Sequence, residues 1–413
     1  MSPLAWTSVF LSLTTTLRAN SVGESALTYQ PQPYTINVDP NVIEEIRLKV
    51  SKYQPTPDTN APPWFDGPPA STISSIAKYW AEEYNWTTIQ TAINANFSHF
   101  YTTVSPTSPH YNASVDLHFI HERSPREDAT PILLLHGWPS TNLEWRNIIP
   151  GLANPPNASD PAFHVVAPSI PGYGFSPALN GSRVNVTRQS YAAIFDALMQ
   201  QLGYPQYILY STDLGFGIAL SLVVDHQPHI INHISDFYLA RVTPSDQARF
   251  DANQTSPEET AYIQSSNAFF GPHSGYSHMH STFPLTLAYA LNDSPVGFLA
   301  WMYHIDQTVS DRPTSHEEIV TKALLLFLPG VYNNVRLYKE IFAPSTAWVP
   351  DVRFTVPTSI LQFGGDMYYP DMANWTYRTA NVTYFARHDK GAHFPAVVEP
   401  ELVLGHIRTI FAE

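Results

Sequence analysis

The chain predicts an α/β fold around a mostly parallel central sheet, and three features of its pattern carry that prediction. Apolar runs at 132–135, 164–167 and 207–210 read as strands buried on both faces, as parallel sheets require. Apolar residues then recur at helical spacing over 191–202, and again from Gly217 through Ile218, Ala219, Leu220, Leu222 and Val223. Between the last strand and that helix stands Ser211-Thr-Asp-Leu-Gly215, a small-x-Asp-x-Gly junction. Such an elbow is so sharp that the neighbours of its central residue must be small, and here the central residue is Asp213. An ordinary turn with an aspartate N-cap has the same letters, so the elbow needs support from the rest of the chain.

With 413 residues there is room for one large domain carrying an insertion, or for two small ones. A composition 44% hydrophobic and 14% charged is that of a globular chain with ample core. The net charge of -14 argues against nucleic acid as a partner, and no basic run marks a membrane-surface patch. Cysteine is absent, which excludes disulfides, thiolate catalysis and zinc-thiolate sites. No paired-histidine helix or His-Glu cluster stands out at metal spacing, so neither a metal nor a cofactor is expected. The 23 tyrosines suffice to line an apolar pocket with hydroxyl tips.

Taken in order, residues 20–33 read as an extended leader. Tyr34-Thr-Ile-Asn-Val38 predicts a short strand, and Asp39-Pro40 opens a helix whose Val42, Ile43, Ile46 and Val50 share a face. A Pro-rich loop over 55–69 surrounds Trp64-Phe65, and helices are expected at 73–84 and 89–97. A strand at 115–121 and a short helix at 144–152 lead into the parallel core. Beyond 233–240 the pattern changes. From Thr243 to about Val349 the segments are helical and rich in Tyr, Phe, Trp and His. They suit a helical cap inserted over the carboxyl ends of the strands, where such sheets bind ligands. Strands resume at 358–363 and 383–386, and a helix over 400–411 closes the chain. The division expected is an N-terminal extension at 20–110, a core of 111–242 with 350–413, and a cap at 243–349.

Ten dispersed pieces now fall into one order. They are Tyr34-Thr-Ile-Asn-Val, Tyr79-Trp80, Tyr84-Asn-Trp86, Phe119-Ile-His-Glu-Arg, His136-Gly-Trp-Pro, Pro171-Gly-Tyr-Gly-Phe-Ser, Ser274-Gly-Tyr276, Leu291-Asn-Asp-Ser-Pro-Val-Gly, Arg336-Leu-Tyr338-Lys-Glu and Gly391-Ala-His393-Phe. In this order and spacing, residues 34 to about 411 resemble the epoxide hydrolases of the α/β-hydrolase fold, in the microsomal-type branch with an N-terminal domain. Two departures are visible. The family's Gly-Gly-Asp-(Trp or Ile)-Gly reads Ser-Thr-Asp-Leu-Gly here, and its Gly-Gly-His reads Gly-Ala-His. Both keep small residues where the turns need them.

The residue types suit the chemistry that the resemblance implies. A serine attacking an epoxide carbon would leave an ether that water does not easily cleave, whereas a carboxylate leaves an ester open to attack at its carbonyl. Asp213 is thus the expected nucleophile. His393, late in the chain after Gly391-Ala392, is the expected base for ester hydrolysis, with His388 as a rival. Asp366, following the strand at 358–363, is the expected acid that orients the imidazole; Asp236 and Asp371 are alternatives. By resemblance, the backbone amides of Trp138 and Leu214 form the oxyanion hole, while His136 reads as a structural hydrogen-bonder. Also by resemblance, Tyr276 and Tyr338 are the acids to the epoxide oxygen, for which a phenol is a suitable donor. The implied partners are a small apolar epoxide and water, with a homodimer left open. A haloalkane dehalogenase shares the aspartate but usually follows it with Trp, and Leu214 has no side-chain N–H. An epoxide-opening cyclase, and an inactive ligand-binding homologue, keep the same fold.

The compartment is marked by asparagine. Sequons stand at Asn85, Asn96, Asn112, Asn157, Asn180, Asn185, Asn253, Asn292, Asn374 and Asn381, whereas chance in this composition predicts about four. Residues 1–19 have an apolar core like that of a signal peptide, though without a basic start, and a retained membrane anchor is the rival reading. Entry to the secretory pathway is expected. Protein made in a eukaryotic host should lose several kilodaltons on enzymatic deglycosylation, and an unshifted band would remove this support.

Overall fold

The computed structural model describes residues 30–58, 60–179, 185–343, 353–366 and 373–412. Nine strands form one sheet: β1 (Gln32–Pro33), β2 (His99–Val104), β3 (Val115–Glu122), β4 (Thr130–Leu135), β5 (Phe163–Pro168), β6 (Tyr207–Ser211), β7 (Ile230–Ser235), β8 (Pro357–Phe363) and β9 (Asn381–His388). Their spatial order is β1-β2-β3-β5-β4-β6-β7-β8-β9. The six strands from β5 to β9 run parallel, and β1, β2 and β3 extend the sheet antiparallel at one edge. This is the α/β-hydrolase fold, in which right-handed helical crossovers cover both faces of the sheet.

The apolar runs expected at the centre of the sheet are buried on both sides, and the two-residue period of a strand divides them between two cores. Leu133, Leu135 and Leu209 face one core, while Ile132, Leu134, Ile208 and Tyr210 face the other. Within the first core lie α5 (Arg188–Gln201) and α6 (Asp213–Asp225), the helix that begins at the elbow; here the helix labels follow chain order after α1 (Pro40–Ser51), α2 (Ala70–Glu82), α3 (Trp86–Asn96) and α4 (Ile149–Ala153). Among the described residues, those of the expected cap are helical throughout: α7 (Pro244–Asp251), α8 (Pro257–Phe270), α9 (Gly275–Thr282), α10 (Pro284–Asp293), α11 (Pro295–Thr308), α12 (His316–Phe327), α13 (Val331–Val335) and α14 (Leu337–Ile341). Capping boxes at Thr243/Asp246, Ser256/Glu259 and Ser315/Glu318 start three of them by satisfying otherwise unpaired first-turn amides. Three short or C-terminal helices complete the chain: α15 (Ala373–Thr376), α16 (Pro395–Val398) and α17 (Pro400–Ile410).

Two expectations are corrected. Tyr34–Val38 is not a strand. Asn94 on α3 takes the amide and carbonyl of Ile36 (2.9 and 2.8 Å), and Gln90 takes the amide of Val38 (2.8 Å), so side chains satisfy the backbone that a neighbouring strand would have paired. The expected helix at 144–152 is a 3-10 turn over Asn142–Asn147 followed by α4. The N-terminal extension packs onto both the sheet and the cap. Its β2 pairs with β3 over six residues, and it reaches the cap through Tyr84 OH, in the turn between α2 and α3, to Thr321 Oγ1 (2.9 Å) and through Lys49 Nζ of α1 to Asp293 Oδ1 (3.3 Å).

Seven sequon asparagines are exposed: Asn85, Asn96, Asn112, Asn157, Asn185, Asn253 and Asn292. Asn381 is half-buried, and Asn180 lies outside the described residues, as does Asp371. No helix among the described residues is long and apolar enough to cross a membrane.

The elbow depends on Gly215. A Cβ there would stand 2.4 Å from the Leu135 carbonyl oxygen and 2.7 Å from that of His136, both backbone atoms that cannot step aside. Helix propensity alone favours alanine over glycine by about 1 kcal/mol. Overpacking against backbone costs about 1–3 kcal/mol and decides the sign. Gly215→Ala should therefore lower stability in urea denaturation.

Candidate active site

Asp213 sits at φ +42°, a left-handed conformation that a non-glycine residue adopts only when its surroundings force it. The turn lifts its carboxylate off the end of β6 towards the loop after β4. There Oδ1 accepts the Trp138 amide hydrogen at 2.7 Å. Gly137 makes the approach feasible, because a Cβ at that position would lie 2.2 Å from the same oxygen. His393 follows β9 in the loop before α16, with its Nε2 3.4 Å from Asp213 Oδ2 and its Nδ1 2.8 Å from Asp366 Oδ1. Burial works to lower the His393 pKa, but the charge and hydrogen bonds of Asp366 and Asp213 win and hold it well above the ordinary histidine range. Phe237 packs edge-on against the imidazole, with ring centroids 5.0 Å apart.

The cap supplies an aromatic roof. Tyr276 on α9 stacks on Trp138 (5.4 Å, 18°), and Tyr338 on α14 meets both rings edge-on at 5.9 and 5.7 Å. Burial raises the pKa of both phenols, and the nearby Asp213 charge adds to this, so both stay protonated donors. The Tyr338 hydroxyl has no well-formed hydrogen bond although it lies close to that of Tyr276. Tyr338 is anchored through its neighbour: buried Glu340 accepts from Tyr191 OH of α5 (2.5 Å) and from Arg336 Nε (3.0 Å).

The expected residues thus come together from six separate places in the chain. Leu214 lies in the first turn of α6, where amides have no intrahelical acceptor. His136 is structural: its Nε2 accepts from the Ile170 amide (3.1 Å), so Nδ1 donates to the Gly137 carbonyl (3.1 Å), and burial lowers its pKa to about 4. His388 stacks on Phe363 and pairs with His406, away from Asp213. Asp236 accepts from Tyr210 OH (2.9 Å) and makes no hydrogen bond to His393, whereas Asp366 does.

Three neighbours escaped the sequence reading. Glu144 is 2% exposed, and neither of its carboxyl oxygens finds a hydrogen-bond partner. Burial, reinforced by Asp236, raises its pKa well above the carboxylate range, and His393 and Asp213 are close enough to feel its charge. In the sequence it stands only as the first residue of the helix expected at 144–152. His280, one turn after Tyr276, accepts from Trp301 Nε1 (3.0 Å) and packs edge-on against Trp138 (4.7 Å). Burial lowers its pKa to about 3, so it is neutral with the proton on a partnerless Nδ1. Asn334 takes the Trp138 indole N–H at 3.1 Å and thereby fixes the ring that carries Tyr276. Spacing alone could have flagged His280; nothing local marks the other two.

Comparison with known proteins fits this geometry. The model for the epoxide hydrolase N terminus matches residues 31–145, and that for the alpha/beta hydrolase fold matches 130–236. Epoxide hydrolase 1 of Sus scrofa is 27% identical over 416 residues, covering 91% of this chain and 87% of that protein. The crystal structure of juvenile hormone epoxide hydrolase from Bombyx mori superposes with a TM-score of 0.82 at 24% identity, covering 92% and 93% of the two chains. The Aspergillus niger epoxide hydrolase gives 0.78 at 24%, covering 92% and 96%. With aspartate at its elbow and a histidine-carboxylate pair behind it, the chain is an enzyme of the α/β-hydrolase fold. In sequence and in fold it resembles the epoxide hydrolases of the microsomal type, those with the N-terminal extension.

A pH test follows from Asp236, whose pKa burial raises from 3.8 to about 7. Between those values the folded chain keeps a proton that the unfolded chain gives up, so stability falls as pH rises through this window. Asp236→Asn removes the titration. In urea denaturation the variant should gain on the wild type from pH 4 to pH 8; a constant difference would mean that Asp236 ionises normally.

Proposed function

We propose that the enzyme opens an apolar epoxide to a vicinal diol through an ester on Asp213. The observation that carries this reading is one carboxylate facing a His-Asp pair on one side and two buried phenols on the other. Asp213 attacks an epoxide carbon, the C–O bond breaks, and the oxygen takes a proton from the Tyr276/Tyr338 pair. Forming the ester removes one of the two negative charges that keep His393 protonated. Its proton restores the phenol, and the neutral imidazole becomes a base only once an ester exists for it to hydrolyse. Water then gives a proton to His393 and attacks the ester carbonyl; the Trp138 and Leu214 amides hold the oxyanion. Collapse expels the alkoxide, which takes the proton from His393 and leaves as the diol; the Asp213 carboxylic acid then returns its proton to the imidazole. A cavity of about 410 Å³ bordered by Glu144, Ser140, Ala392 and Phe394 offers water a way to the rear of His393. Halide chemistry is disfavoured, because Leu214 has no side-chain donor and the Trp138 indole is committed to Asn334.

His393→Gln should accept one epoxide and stop, showing the substrate's added mass on Asp213 by intact-mass spectrometry. Asp213→Asn should show none. Tyr276→Phe and Tyr338→Phe should each slow alkylation by about 10- to 100-fold, the value of one transition-state donor. In heavy-oxygen water, a single wild-type turnover should label the Asp213 carboxylate and not the diol. Label in first-turnover diol, with no covalent mass in His393→Gln, would overturn the ester mechanism in favour of direct attack by water.

We also propose the secretory pathway as the route of the chain. The support is the sequon excess together with the exposure of seven of those asparagines.

A further inference from the structure

At the end of α6 remote from Asp213, three side chains converge that the catalytic reading does not use. Asp196 on α5 lies between His226, the residue that closes α6, and His229 in the turn before β7. His226 Nδ1 stands 3.0 Å from Asp196 Oδ2, and His229 Nδ1 stands 2.7 Å from Oδ1. All three ligand atoms lie within 4.8 Å of one another. The Asp196 side chain is only 9% exposed, and Tyr207 OH donates to its Oδ1 at 3.0 Å. The sequence reading missed the group because His226-x-x-His229 straddles a helix end and its carboxylate comes 30 residues earlier.

We propose that Asp196, His226 and His229 bind a borderline divalent metal ion, zinc above all. Imidazole and carboxylate are the donors such ions take, and neighbouring ligands of a tetrahedral zinc are about 3.4 Å apart, within a small adjustment of the distances here. Both histidines already turn the same nitrogen inward, so the ion replaces two hydrogen bonds. Each neutral ring then carries its hydrogen on Nε2 instead of Nδ1. The Tyr207 hydroxyl is the outer partner that keeps the carboxylate oriented. No lysine or arginine pairs with Asp196 among the described residues, so nothing with a fixed positive charge contests the place. The ion would join α5 to the end of α6 and the start of β7. Since α6 rises about 1.5 Å per residue over 13 residues, it would sit about 20 Å from the nucleophile, which makes it a brace and not a catalyst.

The test uses the full-length enzyme, stripped of any histidine tag and of metal. Isothermal titration with zinc chloride should show one equivalent bound at micromolar or tighter affinity. Saturating zinc should raise the melting temperature by a few degrees while leaving epoxide turnover unchanged. His229→Ala should weaken binding at least about 10-fold, the lower end of what loss of even an outer-sphere partner costs. His226→Ala/His229→Ala should abolish both binding and the thermal shift, its fold being checked by retained turnover. Should that variant fail to fold, cobalt(II) decides on the wild type: absorption several-fold stronger than the aquo ion supports an inner-sphere site. Equal zinc binding in the double variant, or an aquo-like cobalt spectrum with no thermal shift in the wild type, would reduce the cluster to a plain hydrogen-bonded bracket.

Discussion

The positive φ at Asp213 is the constraint on which the site depends. It costs the chain about 1–3 kcal/mol of local strain, and it persists only because the surroundings leave no alternative. Gly215 lets α6 begin against the β4 loop, and Gly137 lets that loop pass beside the carboxylate. The same closeness puts the Trp138 amide at 2.7 Å from the Asp213 carboxylate, so in the proposed mechanism the contact that positions this carboxylate would also supply a donor for the oxyanion. Trp138 in turn carries the cap: Tyr276 stacks on it, Tyr338 abuts it, and Asn334 of α13 fixes its indole.

Charge is arranged around this point in two groups of opposite tendency. Asp213 and Asp366 keep a proton on His393, while burial works to keep protons on Glu144 and Asp236 behind it. Acids of the first group are held by donors; those of the second are held by exclusion of water, since only one of their four oxygens has a hydrogen-bond partner. Under the proposed mechanism such a site needs no external base, because its protonation would change with the covalent state of Asp213.

What was legible in the sequence follows from how each feature is encoded. Strands at 132–135 and 207–210 declare themselves because burial on both faces demands continuous apolar residues. Asp213 was singled out by the small residues that bracket its turn, and Asp366 and His393 by their places after late strands and by resemblance. Tyr276 and Tyr338 were found only through resemblance, since nothing local separates them from 21 other tyrosines. Tyr34–Val38 misled because its alternation looks like a strand, while the groups that satisfy it lie on a helix more than 50 residues away. Glu144 was illegible for the opposite reason. A buried carboxyl is spelled like an exposed one, and only the tertiary structure reveals which it is.

The N-terminal extension has a consequence for traffic. It joins the sheet edge through β1 and β2, and it also holds the cap at Thr321, at Asp293 and, through Trp64 packed on Tyr303, at α11. A roof fastened to its walls from outside cannot swing as a hinged lid without parting all three fastenings. With those fastenings intact, passage to Asp213 would depend on side chains turning and not on a swing of the cap. Selection among epoxides would begin there, as a sieve acting on the rate of entry before any chemistry takes place.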